Sequence, residues 1–223
     1  MNVLITAGGT REDIDPVRGI TNYSTGRLGS LIAEQFIQGG ANVTYICGQA
    51  SHIPDIPVTH IVNTAQLLDA FEKTLSSQKF NCVIHTMAVS DYSPCGVAPI
   101  NSLDLANVKF EKASDTKISS ESQYLAVLLK RQPKAIDLVK KLQPHTILIG
   151  AKLLNTATEE ELKLAAFKQI KQSGSDYVLA NSKEQVTEEA HKAILFNKDG
   201  EVGRAKTKQE IAKLIYETVG LIK

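Results

Sequence analysis

Val3-Leu4-Ile5-Thr6-Ala7-Gly8-Gly9-Thr10 begins the chain with a short run of β-forming residues that passes directly into a glycine-containing loop. Apolar runs of strand length follow at 43–47, 60–62, 82–85, 146–150 and 177–180. Between them, segments 25–38, 64–77, 133–142 and 159–172 place apolar residues at helical spacing. This alternation predicts an α/β fold with a Rossmann-like, doubly wound and mostly parallel sheet.

The chain departs from this repeat in two places. Residues 193–196 and 201–204 flank Asn197-Lys198-Asp199-Gly200, which is a hairpin signal, and a last helix is expected over 207–221. The region of about 93–132 shows no clear helix and contains a strand-like run at 124–129. A segment this long inside a compact domain is a functional flap, an arm to another subunit or a disordered insertion. We expect a small additional β region there.

The composition of the chain excludes several classes of protein. The 223 residues are 43% hydrophobic and 22% charged, so we expect one globular domain over 1–223. A formal charge of +1 gives no global attraction to nucleic acid or to an anionic membrane. The three cysteines show no C-x-x-C spacing, and neither a signal peptide nor a transmembrane run is present. These features favour a cytoplasmic protein with no nucleic-acid or membrane partner.

The loop Gly8-Gly9-Thr10 follows the first strand, where parallel sheets bind ligands at their carboxyl edge. Glycine lets backbone N–H groups approach a phosphate without interference from a Cβ atom. The spacing is neither G-x-G-x-x-G nor a Walker loop. Taken alone, the glycines are equally compatible with a nucleotide-binding loop and with a plain tight turn.

A polar loop over 15–29 leads into the first helix. Ser24 or Thr25 is expected to cap that helix, so that its N-terminal N–H groups and dipole face an anion. Asn22 offers one acceptor and two donors to an amide or acyl-phosphate group. The alternative is a purely structural cap.

Asp91 comes shortly after the strand at 82–85, again at the carboxyl edge. It could accept hydrogen bonds from ribose hydroxyls or hold a metal–water cluster, or it could be an ordinary loop aspartate. His85 on the same strand fits a buried, hydrogen-bonded histidine better than a general base.

Six blocks of sequence resemble, in order, the phosphopantothenate-cysteine ligase family, also called phosphopantothenoylcysteine synthetase. They are Gly8-Gly9-Thr10-Arg11-Glu12, Ile14-Asp15-Pro16-Val17-Arg18, Thr21-Asn22 with Ser24-Thr25-Gly26, Ala88-Val89-Ser90-Asp91-Tyr92, Lys117-Ile118 and Ala180-Asn181. Many bacterial members carry a flavin-dependent decarboxylase ahead of this domain. This chain starts at the synthetase motif, so the resemblance implies a stand-alone form without flavin.

The resemblance implies a ligase of coenzyme A biosynthesis. In this family the carboxylate of 4'-phosphopantothenate attacks the α-phosphate of CTP or ATP with Mg²⁺, which gives an acyl-nucleotide and pyrophosphate. The amine of L-cysteine then displaces the nucleoside monophosphate. Mg²⁺ is expected on the triphosphate oxygens, without a dedicated protein site. CTP is the expected nucleotide, with ATP as the alternative, and the region of about 93–132 is expected to serve as flap and homodimer contact.

The resemblance also assigns roles to single residues. Asn22 is implied to contact the acyl-phosphate and Asp91 the ribose, while Lys117 is implied to close over the triphosphate. The remaining implied binding positions are Gly8, Gly9, Thr10, Ser24, Thr25, Gly26, Ala88, Ala151, Lys152, Lys168 and Asn181. Ala151 falls where the family has a phenylalanine near the base, and Ser119 and Ser120 fall where it has two further lysines.

Two other functions compete with the ligase. An NAD(P)-dependent oxidoreductase lacks support because G-x-G-x-x-G and a Tyr-x-x-x-Lys pair are both missing from the sequence. A nucleotide-binding regulatory module without catalysis is compatible with the departures at Ser119, Ser120 and Ala151.

Overall fold

The structure is a computed structural model that describes residues 1–48, 52–101, 108–112, 117–187 and 189–220. Its strands are β1 (Asn2–Ala7), β2 (Arg11–Asp15), β3 (Arg18–Thr21), β4 (Asn42–Cys47), β5 (Val58–His60), β6 (Cys82–His85), β7 (Tyr92–Ile100), β8 (Tyr124–Arg131), β9 (Ile147–Leu154), β10 (Tyr177–Ser182), β11 (Ala193–Asn197) and β12 (Gly200–Ala205). The helices are α1 (Arg27–Gln38), α2 (Thr64–Ser77), α3 (Asp137–Leu142), α4 (Glu159–Ser173) and α5 (Lys208–Gly220).

Eight strands form the central sheet in the order β12-β11-β10-β9-β6-β1-β4-β5. The six from β10 to β5 pair in parallel, and β11 and β12 are added antiparallel at one edge. The chain builds outward from β1 through β4 and β5, then returns to β6 and builds in the other direction. The switch point therefore lies between β1 and β6, where open α/β sheets bind ligands. The predicted fold class is confirmed.

Alternation along the strands divides the core between the two faces of the sheet. On β1, Val3 and Ile5 pack with α1 and α5, whereas Leu4 between them packs with α2 and α3. On β10, Val178 and Ala180 pack with α4. None of the helices in the described ranges is long and apolar enough to span a membrane.

Three predicted elements need correction. The polar loop expected from residue 15 instead contains the turn and the second strand of an antiparallel hairpin, β2–β3, which has a register shift between Asp13 and Asp15. The run predicted at 60–62 is a strand at Val58–His60, and the helix predicted from 133 begins at Asp137. Polar residues hid the hairpin, because it is a small two-stranded sheet with mostly exposed side chains in β3.

The expected β region is present as the antiparallel pair β7 and β8. Prolines 94 and 99 obscured β7 in the sequence, since proline is excluded from central strands and tolerated at edges and bulges. The pair has its register shift between Pro94 and Gly96. The parts of the predicted flap at 102–107 and 113–116 lie outside the described residues.

Candidate active site

The loops that follow β1 and β6 remain paired beyond the strand ends. Ala88 donates its N–H to the Gly8 carbonyl at 2.8 Å, and Thr10 donates to the Ala88 carbonyl at 3.1 Å. Gly9 and Ala88 form the parallel bridge between these two bonds. The structure thus brings together Gly8, Gly9, Thr10 and Ala88, which were predicted as site residues, at the switch point of the sheet.

Gly9 is enclosed by backbone from two other segments. A Cβ atom on Gly9 would lie 2.4 Å from the backbone oxygen of Asn22, and one on Gly48 would lie 2.1 Å from the Gly9 oxygen. Both distances are far below van der Waals contact, so three backbone segments meet here only because side chains are absent. Glycine at position 9 is therefore required for packing, whatever the loop binds.

Asn22 immediately follows β3 and faces the same junction. Its backbone N–H donates to the Thr10 carbonyl at 3.3 Å, and Nδ2 donates to the Ala88 carbonyl at 3.2 Å. In the described part of the chain, Oδ1 has no hydrogen-bond partner. One amide hydrogen therefore orients the side chain, and the other hydrogen and the oxygen remain available to a ligand.

Helix α1 begins differently from the prediction. Gly26 occupies the N-cap position with φ 71°, in the left-handed region, and no side chain caps the helix. The predicted cap by Ser24 or Thr25 is wrong, because the turn at Gly26 places both residues ahead of the position from which a hydroxyl reaches the first N–H groups. The first turn therefore keeps uncapped N–H groups beside Ser24 and Thr25, an arrangement suited to an anion.

Hydrogen bonds among buried polar side chains support the junction. The Thr10 hydroxyl accepts from the Ser90 N–H at 2.8 Å and donates to Ser90 Oγ at 3.0 Å. Glu12 Oε1 accepts from the N–H and hydroxyl of Thr64, at 2.8 and 2.6 Å. Thr10 is fully buried, so its side chain acts by holding the loop after β6. Sequence reasoning missed Glu12 and Thr64, whose contact joins residues far apart in the chain.

Asp91 lies at the rim of this junction. Its carboxylate pairs with Lys134, and its carbonyl accepts from the Gln132 N–H at 2.8 Å. Both members of the ion pair are about half exposed. Lys134 was not predicted, and no motif marks it. The pair ties the loop after β6 to the segment that leads from β8 into α3.

Lys117 is exposed beside the buried Ile118, and Ile118 is held by the β2–β3 hairpin. Asp15 Oδ2 accepts from the Ile118 N–H at 3.2 Å, and Arg18 Nη2 donates to the Ile118 carbonyl at 2.7 Å. Arg18 also pairs with Asp15. The guanidinium holds the pKa of the Asp15 carboxyl well below its usual range, so this carboxylate is ionised at neutral pH.

The later predicted residues are spread more widely. Ala151 and Lys152 on β9 lie just beyond the end of β6, because His85 is in register with Gly150. Asn181 follows on β10, in register with Leu153. Lys168 is exposed on α4, nine residues after the helix start, or roughly 13 Å along its axis. Helix α4 packs against β10 and β11, and in the described ranges no hydrogen bond or ion pair links Lys168 to the other predicted residues.

His85 is a buried, hydrogen-bonded histidine, as predicted. Thr6 Oγ1 lies 2.6 Å from its Nδ1, and burial lowers the pKa of His85 to about 4. A neutral, enclosed imidazole at neutral pH has a structural role in holding β6 against β1.

This burial makes stability depend on pH. The unfolded chain protonates His85 near its ordinary pKa of about 6.5, whereas the folded chain resists protonation down to about 4. Protonation of His85 therefore leaves the free energy of unfolding unchanged above about pH 6.5 and lowers it as the pH falls below that value. We expect the free energy of unfolding to drop by about 2 kcal/mol from this residue between pH 7.5 and 5.

Urea unfolding followed by circular dichroism at the two pH values measures the effect. His85→Gln removes the titrating group, so its pH dependence should be smaller than that of the wild type by this amount. An identical pH dependence in both proteins would show that His85 titrates normally in the folded state.

The described residues contain no group of three or more histidine, cysteine, aspartate or glutamate side chains that could hold a metal ion. The carboxylate at the rim of the junction, Asp91, faces Lys134 instead.

Known proteins resemble this chain along its whole length. The coenzyme A biosynthesis bifunctional protein CoaBC of Thermococcus kodakarensis is 37% identical over 220 residues, which are 97% of this chain and 50% of that protein. The chain thus spans about half the length of the curated relatives that it matches.

Solved structures share the fold. The crystal structure of the DNA/pantothenate metabolism flavoprotein from Streptococcus pneumoniae superposes with a TM-score of 0.89 at 34% identity and covers 100% of both chains. A Cab2 mutant in complex with phosphopantothenate-cysteine superposes with a TM-score of 0.71 at 18% identity, covering 99% of this chain and 87% of that one. Since the family model matches residues 1–221, this chain belongs to the DNA/pantothenate metabolism flavoprotein C-terminal domain family.

Proposed function

We propose that this protein is a phosphopantothenate-cysteine ligase that activates the carboxylate of 4'-phosphopantothenate with a nucleoside triphosphate and transfers the acyl group to L-cysteine. The observation that carries the proposal is the junction of Gly9, Ala88 and Asn22 at the sheet switch point, beside the uncapped start of α1. Family membership and the ligand of the Cab2 complex support the same reaction.

The chemistry requires two anionic reactants to meet. A carboxylate and an α-phosphate repel each other, so catalysis depends on fixed donors and cations more than on a strong base. The free N–H groups of α1 and the hydroxyls of Ser24 and Thr25 would bind phosphate oxygens. Asn22 would donate its second amide hydrogen to the acyl-phosphate, and Lys117 would offset the negative charge that develops during activation.

The remaining predicted residues complete the nucleotide site in this proposal. Ala88 and Asp91 would contact the nucleoside, with Asp91 leaving Lys134 for the ribose hydroxyls. Ala151, Lys152 and Asn181 would line its far side on β9 and β10. Lys168, which is exposed on α4, would contact phosphate oxygens of the nucleotide. Mg²⁺ would enter with the nucleotide.

The nucleotide is expected to be CTP, with ATP as the alternative. Measuring pyrophosphate release with 4'-phosphopantothenate, Mg²⁺ and either nucleotide tests the proposal directly. We expect release that depends on 4'-phosphopantothenate, and faster with CTP. If neither nucleotide gave pyrophosphate release while nucleotide binding was retained, the result would favour the regulatory module over the ligase.

The variant Lys117→Gln tests the role of this single residue in the same assay. Because the glutamine amide is neutral, we expect pyrophosphate formation to slow by about tenfold or more while the fold is retained. An unchanged rate would remove Lys117 from the activation step.

We also propose that the protein forms a homodimer through the β7–β8 pair. Tyr92, Leu128 and Leu129 on these strands are each more than 40% exposed, so the pair leaves large apolar side chains that a second subunit would bury. Light scattering coupled to gel filtration measures the molar mass, and a monomer would contradict this contact. The cytoplasmic location and the independence from flavin remain predictions.

A further inference from the structure

The hairpin carboxylate Asp15 has two sides with different partners. Its Oδ1 accepts from the N–H groups of Val17 and Arg18, at 2.9 and 2.8 Å, and so closes the β2–β3 turn. Its Oδ2 faces the other way and accepts from Arg18 Nε at 2.9 Å and from the Ile118 N–H at 3.2 Å. Asp15 is only 3% exposed. A buried carboxylate therefore joins a turn to a segment about 100 residues later in the chain.

Ile118 is fixed at three points. Its N–H is bound by Asp15, its carbonyl is bound by Arg18 and its side chain is buried. The neighbouring side chains of Lys117 and Ser119 are exposed. One residue is thus attached firmly to the hairpin, and the residues on either side of it project outward.

The hairpin that holds Ile118 also leads directly into Asn22. Residue 21 ends β3, and the Asn22 side chain is attached to the loop after β6. The same short hairpin is therefore connected at one end to the Gly9 junction and at the other to the backbone beside Lys117.

We propose that Asp15 and Arg18 are positioning residues, which hold the backbone at Ile118 so that Lys117 is presented to the reacting phosphate. This inference rests on the proposed function, in which Lys117 acts during activation. The physical reason is that a lysine on a freely moving segment loses effective concentration at its target, whereas a fixed neighbour restricts the amine to a small volume.

Asp15→Asn tests the role with little change in shape. The asparagine keeps one oxygen for the N–H groups of Val17 and Arg18, but its NH₂ group cannot accept from Arg18 or Ile118. We expect pyrophosphate formation at saturating substrate to fall at least tenfold. Asp13→Asn is the matched control on the same hairpin. In the described part of the chain Asp13 pairs with the half-exposed Arg11, at 2.9 Å, so its substitution should leave the rate unchanged.

A double-mutant cycle separates positioning from general damage. If Asp15 acts through Lys117, Asp15→Asn should change the residual rate of Lys117→Gln by less than about twofold. A full tenfold loss in that background would overturn the proposal, as would a wild-type rate for Asp15→Asn alone. If Asp15→Asn does not fold, Arg18→Lys replaces it in the cycle, since lysine keeps the charge but lacks the fork that reaches Asp15 and Ile118 together.

Hydrogen exchange gives a readout that does not depend on turnover. The Ile118 amide should exchange slowly in the free wild-type protein and at least tenfold faster in Asp15→Asn, with Asp13→Asn unchanged. Equal exchange in wild type and Asp15→Asn would overturn the proposal even if the enzyme were active. An inactive wild type would instead contradict the proposed function, and the exchange result would still decide whether Asp15 holds Ile118.

Discussion

Gly9→Ala is expected to lower the free energy of unfolding by about 3 kcal/mol or more and to abolish pyrophosphate release. The added Cβ would meet the Asn22 backbone oxygen at 2.4 Å. Overpacking costs most where the opposing atom is backbone, because no rotamer change relieves the contact. Asn22 would have to move, and the bond from its Nδ2 to Ala88 would break. Urea unfolding and the pyrophosphate assay measure the two effects.

Gly220→Ala is the matched control for that experiment. Among the residues that the structure describes, none has an atom within 4 Å of a Cβ atom at Gly220, which ends α5. The same added methyl group should therefore be neutral or slightly stabilising, since alanine favours helix more than glycine does. If Gly9→Ala were as stable as Gly220→Ala, the close approach of the three backbone segments would be disproved.

Asn22→Asp is expected to reduce turnover by about 10²- to 10³-fold, with a much smaller loss of stability. The aspartate has no amide hydrogens, so it donates neither to the Ala88 carbonyl nor to a ligand, and its charge repels the phosphoryl oxygens that we place there. The lost bond to Ala88 is a single partly buried hydrogen bond of 3.2 Å, worth about 1 kcal/mol. Steady-state pyrophosphate release measures the loss of turnover, and urea unfolding measures the loss of stability.

Asn42→Asp makes the same chemical change at the opposite edge of the sheet. Asn42 starts β4 and bonds through Nδ2 to Asn2 at 3.2 Å. It should leave turnover unchanged. Turnover of Asn22→Asp within twofold of this control would exclude Asn22 from the site.

The sequence was sufficient for the parallel sheet and for the motif that identifies the family. Strand residues such as Val3 to Thr6 are uniformly apolar or β-branched, and their alternation with helical segments leaves few topologies. The block from Gly8 to Arg18 carried a resemblance that the family match confirms. Local periodicity and composition contain this information because each element forms largely from neighbouring residues.

The same local signals failed where polar or proline-containing segments form strands. The hairpin from Asp15 onward was interpreted as a loop because β3 is short and its side chains are mostly exposed, and β7 was obscured by Pro94 and Pro99. The cap at Ser24 or Thr25 was wrong because a hydroxyl in sequence before a helix does not fix the backbone angle at Gly26. Each error concerns a conformation that long-range contacts decide.

The amino-acid sequence by itself determined the sheet, the order of its elements and the residue types available at the carboxyl edge. Only the tertiary structure decided why Gly9 must be glycine, that Asp91 faces Lys134 and that Asp15 holds Ile118. The physical reason is that these contacts join residues from about 13 to about 100 positions apart. Nothing in local propensity encodes such a distance, whereas the folded arrangement of the sheet, the hairpin and the loops brings the partners into contact.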